Sequence, residues 1–274
     1  MLCTPLTADV RRHNLSREDR MQITVCEFPN EASRHEAAWT ELVRFLQSRP
    51  TDVVVLPEMP FCDWRMFMTK TIDLAVWEAA LAAHDATIAR FAALQTTLVL
   101  ASRPVQIHGK RLNQAFCWTR DGGYRGAHAK YYLPDEPDGW EATWFAQGDC
   151  QFAPITVGPL TVGFQLCTEL LFTEPAREIG RGGAHLIAAP RATSGHRRWP
   201  MAACMAAVMS GCFVASANRR SYDSETFAGR SWLVSPDGEV LGETSADMPF
   251  LTVEIALEEA TRAKSTYPRN LPVP

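Results

Sequence analysis

Short β-rich runs alternate with stretches of helical period along most of this chain. Residues 21–26 alternate apolar and polar side chains, the period of a strand with one face buried. Over residues 35–46, His35, Trp39, Leu42, Val43 and Leu46 share one helical face. Thr51-Asp52 opens a strand over 53–56, and a long helix follows whose stripe is Leu74, Trp77, Leu81, Ile88 and Phe91, with Asp73 as its cap. His84 falls on that stripe and reads as a packed core histidine, since no partner of metal-binding or catalytic type is spaced with it.

Strand-like runs follow at 96–101, 112–119, 151–157 and 160–166, and Asp121-Gly122-Gly123 marks a hairpin turn. A helix from Thr173 to Gly180 stops at Gly182-Gly183, which suit a left-handed cap. Leu186–Ala189 is a buried strand, 199–211 a helix with Pro200 near its start, and Phe213–Ala217 a further strand. The last hairpin pairs Ser231–Val234 with the run after Pro236-Asp237-Gly238, and Phe250–Ile255 is expected to close it. The tail from Thr266 to Pro274 carries three prolines and is expected to wander over a surface or a partner. No composition break divides residues 21–274, so the alternation argues for one α/β domain. Residues 1–20, with four arginines and no apolar centre, read as a loosely ordered extension rather than a secretory signal.

Composition narrows the function classes. At 274 residues, 46% hydrophobic and 21% charged, the chain can bury a large core. A net charge of -4 without an arginine or lysine cluster gives no face for nucleic acid. No run approaches the ~20 apolar residues of a membrane span. The eight cysteines form no C-x-x-C pair and the seven histidines are dispersed, which speaks against a metal site and for a reducing, cytoplasmic setting.

Three ionisable residues close strand-like runs: Glu58 in Val-Val-Val-Leu-Pro-Glu, Lys130 in His-Ala-Lys-Tyr-Tyr-Leu, and Cys167 after Leu160–Leu166. A cysteine nucleophile reacts as thiolate and needs a base or a positive neighbour; Glu58 can supply the one and Lys130 the other. Glu141, 11 residues past Lys130, can hold the lysine in place. The backbone N–H of Thr168 and the lysine can meet an oxyanion, and losing one such donor costs ~3 kcal/mol at the barrier. By position alone, Glu58 could equally cap a strand and Lys130 could be a solvated surface charge.

The three segments resemble, in order, the Glu, Lys and Cys blocks of the nitrilase, or carbon–nitrogen hydrolase, superfamily. The loop after the lysine, with Trp144-Phe145-Ala146-Gln147-Gly148-Asp149, is similar to the family's, as are Phe213–Arg219 and Ser231–Gly238, so the likeness runs from about Met21 to Ile255. The resemblance implies a four-layer αββα sandwich that pairs with a second copy, as a homodimer or larger assembly. It implies hydrolysis of a small amide or N-carbamoyl compound without metal or organic cofactor. Glu58 would be the general base, Lys130 the oxyanion support, Cys167 the nucleophile and Glu141 the second acid. Nitrile hydrolysis, acyl transfer to an amine and a non-catalytic binding role are the alternatives. The chain departs from the family at Tyr132, where many members have His, at Leu170-Leu171-Phe172, where a basic residue is common, and at Ala206–Ser210. Arg191, after Leu186–Ala189, is a candidate to grip a substrate carboxylate, or else an ion-pair partner for a residue such as Glu169. Phe61 and Trp140, with Trp64 and Trp144, are candidates for an aromatic pocket wall, for which core packing is the competing reading.

Overall fold

The computed structural model describes residues 20–137 and 139–272. The expected extension at 1–20 therefore lies, but for Arg20, outside the described residues. Two sheets face each other. In the first, β1 (Arg20–Cys26), β3 (Val53–Val55) and β4 (Leu98–Ile107) run parallel. β5 (Lys110–Thr119) and β6 (Gly123–Ala129) continue β4 as an antiparallel meander, and β13 (Phe250–Ala256) flanks β1 on the other side. In the second, β8 (Leu160–Phe164), β9 (Leu186–Arg191) and β10 (Phe213–Arg220) are parallel. β7 (Ile155–Val157) borders β8, while β11 (Trp232–Val234) and β12 (Val240–Glu243) follow β10, all antiparallel. The two-residue β2 (Phe28–Pro29) pairs with the end of β10, so the chain passes between sheets immediately after β1.

The two-residue period of the strands sorts the core into layers. Ile23, Val25, Val53 and Val55 of the first sheet meet Leu160, Val162, Leu186 and Ala215 of the second between the sheets. Val54 and Val99 point the other way, onto Trp39, Leu42 and Leu46 of α1 (His35–Ser48). Ile187 and Val214 likewise meet α4 (Thr173–Arg181) and α5 (Arg198–Ser210) through Ile179, Ala203 and Ala207. Each buried Val or Leu stabilises this arrangement by roughly 1.5–3 kcal/mol. The result is the expected αββα sandwich. Helix–helix contact on the outer face is close: a Cβ on Gly180 would lie 2.2 Å from the carbonyl oxygen of Ser210.

The sequence reading fails where tertiary pairing overrides local pattern. Phe250–Ile255 does not close the last hairpin; β13 crosses to the first sheet and pairs with β1 from Arg20↔Ala256 to Cys26↔Phe250. β4 and β5 run far past their apolar cores, paired from Leu98↔Thr119 to Ile107↔Lys110. Only Ile155–Val157 of the 151–157 run is strand. The long helix is α2 (Leu74–Ile88), capped by Asp73, whose Oδ1 accepts from the N–H of Ala75 at 2.9 Å. Leu74 is exposed, and Phe91 belongs to a separate 3₁₀ turn. The tail to Leu271 does not wander: after α6 (Leu257–Ala263), which periodicity missed, Arg269 donates to the carbonyls of Ala263, Val208 and Pro236 and pairs with Asp237.

His84 is the packed core histidine expected. Its Nδ1 donates to the carbonyl of Ala80 at 2.7 Å, which leaves Nε2 to accept from the Phe61 N–H at 3.4 Å. Burial pushes its pKa down to about 3. The unfolded chain takes up that proton near the ordinary histidine value, so the contribution is complete above about pH 6.5 and is lost as pH falls toward the folded value. Urea unfolding at pH 4 to 6 is expected to give a slope of stability on pH smaller by about 1.4 kcal/mol per pH unit for His84→Gln than for the wild type. An unchanged slope would mean that another group governs the acid limb.

Candidate functional site

Glu58, Lys130 and Cys167 are carried by three separate chain exits at one end of the sandwich. Glu58 lies three residues beyond β3, Lys130 directly after β6, and Cys167 three residues beyond β8. Each exit is fixed by the backbone. The Lys130 N–H donates to the Asn113 carbonyl of β5 at 2.9 Å, and its own carbonyl accepts from Gly148 at 3.0 Å. Gly148 must be glycine, since a Cβ there would meet the Ala129 carbonyl oxygen at 2.1 Å. The Glu58 carbonyl and that of Met59, which has φ +39, both accept from the buried guanidinium of Arg219. Cys167 itself holds φ +50, a conformation a residue with a Cβ adopts only when its surroundings impose it.

Glu169 imposes much of that geometry. Fully buried, it accepts from the Leu166 N–H at 2.7 Å with one oxygen and from the Tyr131 N–H at 2.8 Å with the other, and it meets His128 Nε2 at 3.0 Å. One carboxylate thus ties the cysteine turn to the segment bearing Lys130. Burial alone would push His128 down, but the hydrogen bond and charge of Glu169 hold its pKa above the ordinary value.

The centre is a buried ammonium between two carboxylates. Lys130 Nζ donates to Glu58 Oε1 at 2.9 Å and to the Glu141 oxygens at 2.9 and 2.7 Å. Glu141 opens the short helix α3 (Glu141–Trp144). Asn113 Nδ2 adds a bond of 2.8 Å to the same Glu58 oxygen, while Glu58 Oε2 is buried with no partner among the described residues. Burial disfavours the Lys130 charge, yet Glu141 and Glu58 outweigh it and raise the lysine. Burial raises Glu141 to about 7 despite the lysine, with Glu58 adding to the rise. The Cys167 thiol is raised well above its ordinary value, first by burial and then by the Glu58 charge, against the pull of Lys130. Burial and the Glu58 charge thus favour the neutral thiol over the thiolate, and a nucleophilic attack calls for an acceptor for its proton.

A cavity of about 140 Å³ opens over the sulfur, lined by Cys167, Thr168, Glu141, Trp64, Trp199 and Phe227 among others. Thr168 is the second residue of the 3₁₀ turn Cys167–Leu171, where leading N–H groups have no acceptor within the turn. Its hydroxyl donates to the Tyr132 carbonyl at 2.8 Å. The buried indole Nε1 of Trp199 has no partner among the described residues.

The structure brings Glu58, Lys130, Glu141, Cys167 and Thr168 together; Arg191, Phe61 and Trp140 lie outside the cavity lining, although the Arg191 carbonyl accepts from the Glu58 N–H at 3.3 Å. Arg191 is fully buried: Nε donates to Ser216 Oγ and one terminal nitrogen to Thr193 Oγ1, both at 2.5 Å, the other to the Arg230 carbonyl at 2.8 Å. Its guanidinium lies 4.0 Å from the centre of the Trp232 ring, so its side chain is engaged within the protein and does not pair with Glu169. Phe61 packs edge-on to Phe28 within the layer under α1. Trp140 lies outside the lining, beneath Lys70 at 3.8 Å. Apolar residue type could not separate wall from core. Asn113, Glu169, Arg219, Trp199 and Phe227 went unassigned to the site; only Glu169, two residues after the cysteine, carried a signal. Tyr132 and Phe172, at two of the departures from the family pattern, stack face to face with centroids 3.8 Å apart and planes at 10°. No three or more His, Cys, Asp or Glu side chains among the described residues are grouped to hold a metal ion.

Comparison with known proteins bears on the family and the fold. The model of the carbon–nitrogen hydrolase family matches residues 21–265. The chain is similar to the hydrolase in agr operon of Staphylococcus aureus, 24% identical over 256 residues, which cover 90% of this chain and 96% of that protein. It is 27% identical to the chloroplastic omega-amidase of Arabidopsis thaliana over 188 residues, 65% of this chain and 50% of that one. Among solved structures, a carbon–nitrogen hydrolase from Helicobacter pylori G27 superposes with a TM-score of 0.79 at 22% identity, covering 92% of this chain and 94% of the other. An amidase from Nesterenkonia sp. gives 0.72 at 19% identity, with 91% and 95% covered.

The raised thiol makes a measurable statement. Modification of Cys167 by methyl methanethiosulfonate, which reacts with thiolate, is expected to be slow at pH 7 and to rise through pH 9 without a plateau. A plateau at or below pH 7, followed by peptide mass spectrometry, would mean a thiolate stabilised at rest.

Proposed function

The chain belongs to the carbon–nitrogen hydrolase family, and from that premise we propose that it hydrolyses a small amide or N-carbamoyl compound through a thioester on Cys167. The observation that carries the reading is the buried Glu58–Lys130–Glu141 cluster beneath a cavity lined by a strained cysteine. Cys167 Sγ attacks the carbonyl carbon while its proton passes to the unpartnered oxygen of Glu58. The oxyanion is met by the Lys130 ammonium and the Thr168 N–H. Glu58 returns the proton to the leaving nitrogen, and ammonia or an amine departs. Water then gives a proton to Glu58 and attacks the thioester; the acid leaves and the thiol is restored. Glu141 keeps the ammonium in place and balances its charge.

The cavity size supports a small substrate, since an enclosed space of about 150 Å³ holds a molecule of benzene size. Hydrolysis of an amide is favoured over acyl transfer by those relatives and structural neighbours that are named as amidases. One Nesterenkonia amidase structure is described as showing covalent addition of the acetamide moiety of fluoroacetamide at its active-site cysteine. Assembly as a homodimer or larger homo-oligomer, a cytoplasmic location and independence of metal and organic cofactors complete the proposal. No helix among the described residues is long and apolar enough to cross a membrane.

Mass spectrometry after exposure to a panel of small amides, carbamoyl acids and nitriles is expected to find an acyl adduct on Cys167. Cys167→Ala abolishes both the adduct and ammonia release. Glu58→Gln lowers kcat by at least about 100-fold, the lower range for a positioned general base. Ammonia release by Cys167→Ala at the wild-type rate would rule out the sulfur as nucleophile.

A further inference from the structure

The cavity over Cys167 is acidic. Glu141 forms part of its wall and Glu136 stands exposed at its rim, while no Lys, Arg or His among the described residues belongs to the lining. Beneath the floor, the one ammonium of Lys130 is already shared by two carboxylates. The guanidinium best placed by sequence to receive an anion, Arg191, spends its donors on Ser216, Thr193 and the Arg230 carbonyl. Arg198 and Lys70 lie over the rings of Trp199 and Trp140, and neither lines the cavity. The backbone that carries Glu136 to the rim is fixed: its N–H donates to the Gly139 carbonyl at 3.3 Å and its carbonyl accepts from the Gly139 N–H at 2.9 Å. The rest of the wall is largely apolar, with the aromatic rings of Trp64, Phe67, Trp199 and Phe227 among it.

We propose that this site selects amides whose acyl group carries no negative charge, and that Glu136 is a specificity-determining residue that turns carboxylate-bearing substrates away. The inference rests on the amide-hydrolase reading and deepens it. An acyl carboxylate entering so small a space would leave water without a cation to receive it and with like charge at floor and rim. A site without a partner for a charged substrate group rejects it more strongly than it rejects a change in size. An uncharged chain loses nothing there and gains contact with the aromatic wall. An ammonium-bearing chain meets carboxylates and π faces, both favourable to a cation.

The test uses three amides of similar length with purified full-length protein: butanamide, succinamate with its carboxylate, and 4-aminobutanamide with its ammonium. Butanamide is expected to exceed succinamate in kcat/KM by at least about 100-fold, and 4-aminobutanamide to exceed succinamate as well. Glu136→Gln is expected to raise the succinamate-to-butanamide ratio of kcat/KM about tenfold. Raising ionic strength should increase the same ratio in the wild type, because the rim charge is screened. Equal turnover of succinamate and butanamide, both dependent on Cys167, would overturn the inference and leave the hydrolase reading standing. A ratio unmoved by Glu136→Gln would remove Glu136 from the selection. Absence of both acylation and turnover with all three would overturn the hydrolase reading and this inference with it.

Discussion

The site is organised by one buried ammonium held by two buried carboxylates. Taking such charges out of water costs several kcal/mol per ion, and the attraction between them offsets the cost only in good geometry. That requirement explains the surroundings: Asn113 supplies a further donor to Glu58, Arg219 grips the carbonyls of the loop bearing it, and Gly148 allows the chain to pass against the Lys130 segment. A side chain held this way loses little freedom on meeting a substrate, which is what electrostatic assistance to an oxyanion needs.

The cysteine is controlled by a different device. Its backbone sits at φ +50 because the turn after β8 is anchored through Glu169 to the segment carrying the lysine. Position is thereby fixed across two sheets, while burial and the Glu58 charge push the thiol's pKa up. Positioning of the cysteine by Glu169 is thus separate from the proton removal proposed for Glu58.

Glu58, Lys130 and Cys167 were legible in the sequence because each ends a run whose strand character is local. Their convergence was not local information, and the resemblance of ordered blocks supplied it. The residues that support them were invisible for a physical reason. Asn113 reaches Glu58 across 55 positions and Arg219 reaches it across 161, and neither stands out from the polar residues around it. Arg191, Phe61 and Trp140 show the converse failure: their chemistry suits a pocket, but only the packed fold reveals that Arg191 and Phe61 face inward. The same holds for β13, whose apolar run fits either sheet and whose pairing with β1 depends on the whole architecture.

The Tyr132–Phe172 stack couples two loops at each of which the chain departs from the family pattern. Both rings bury apolar surface against each other, so each serves as the other's packing partner. Installing a guanidinium at 172 to recruit acidic substrates would therefore strip Tyr132 of its platform and loosen the segment that begins at Lys130. Redesign of this enzyme's repertoire has to treat the two positions as a single unit, exchanging both rings in one step.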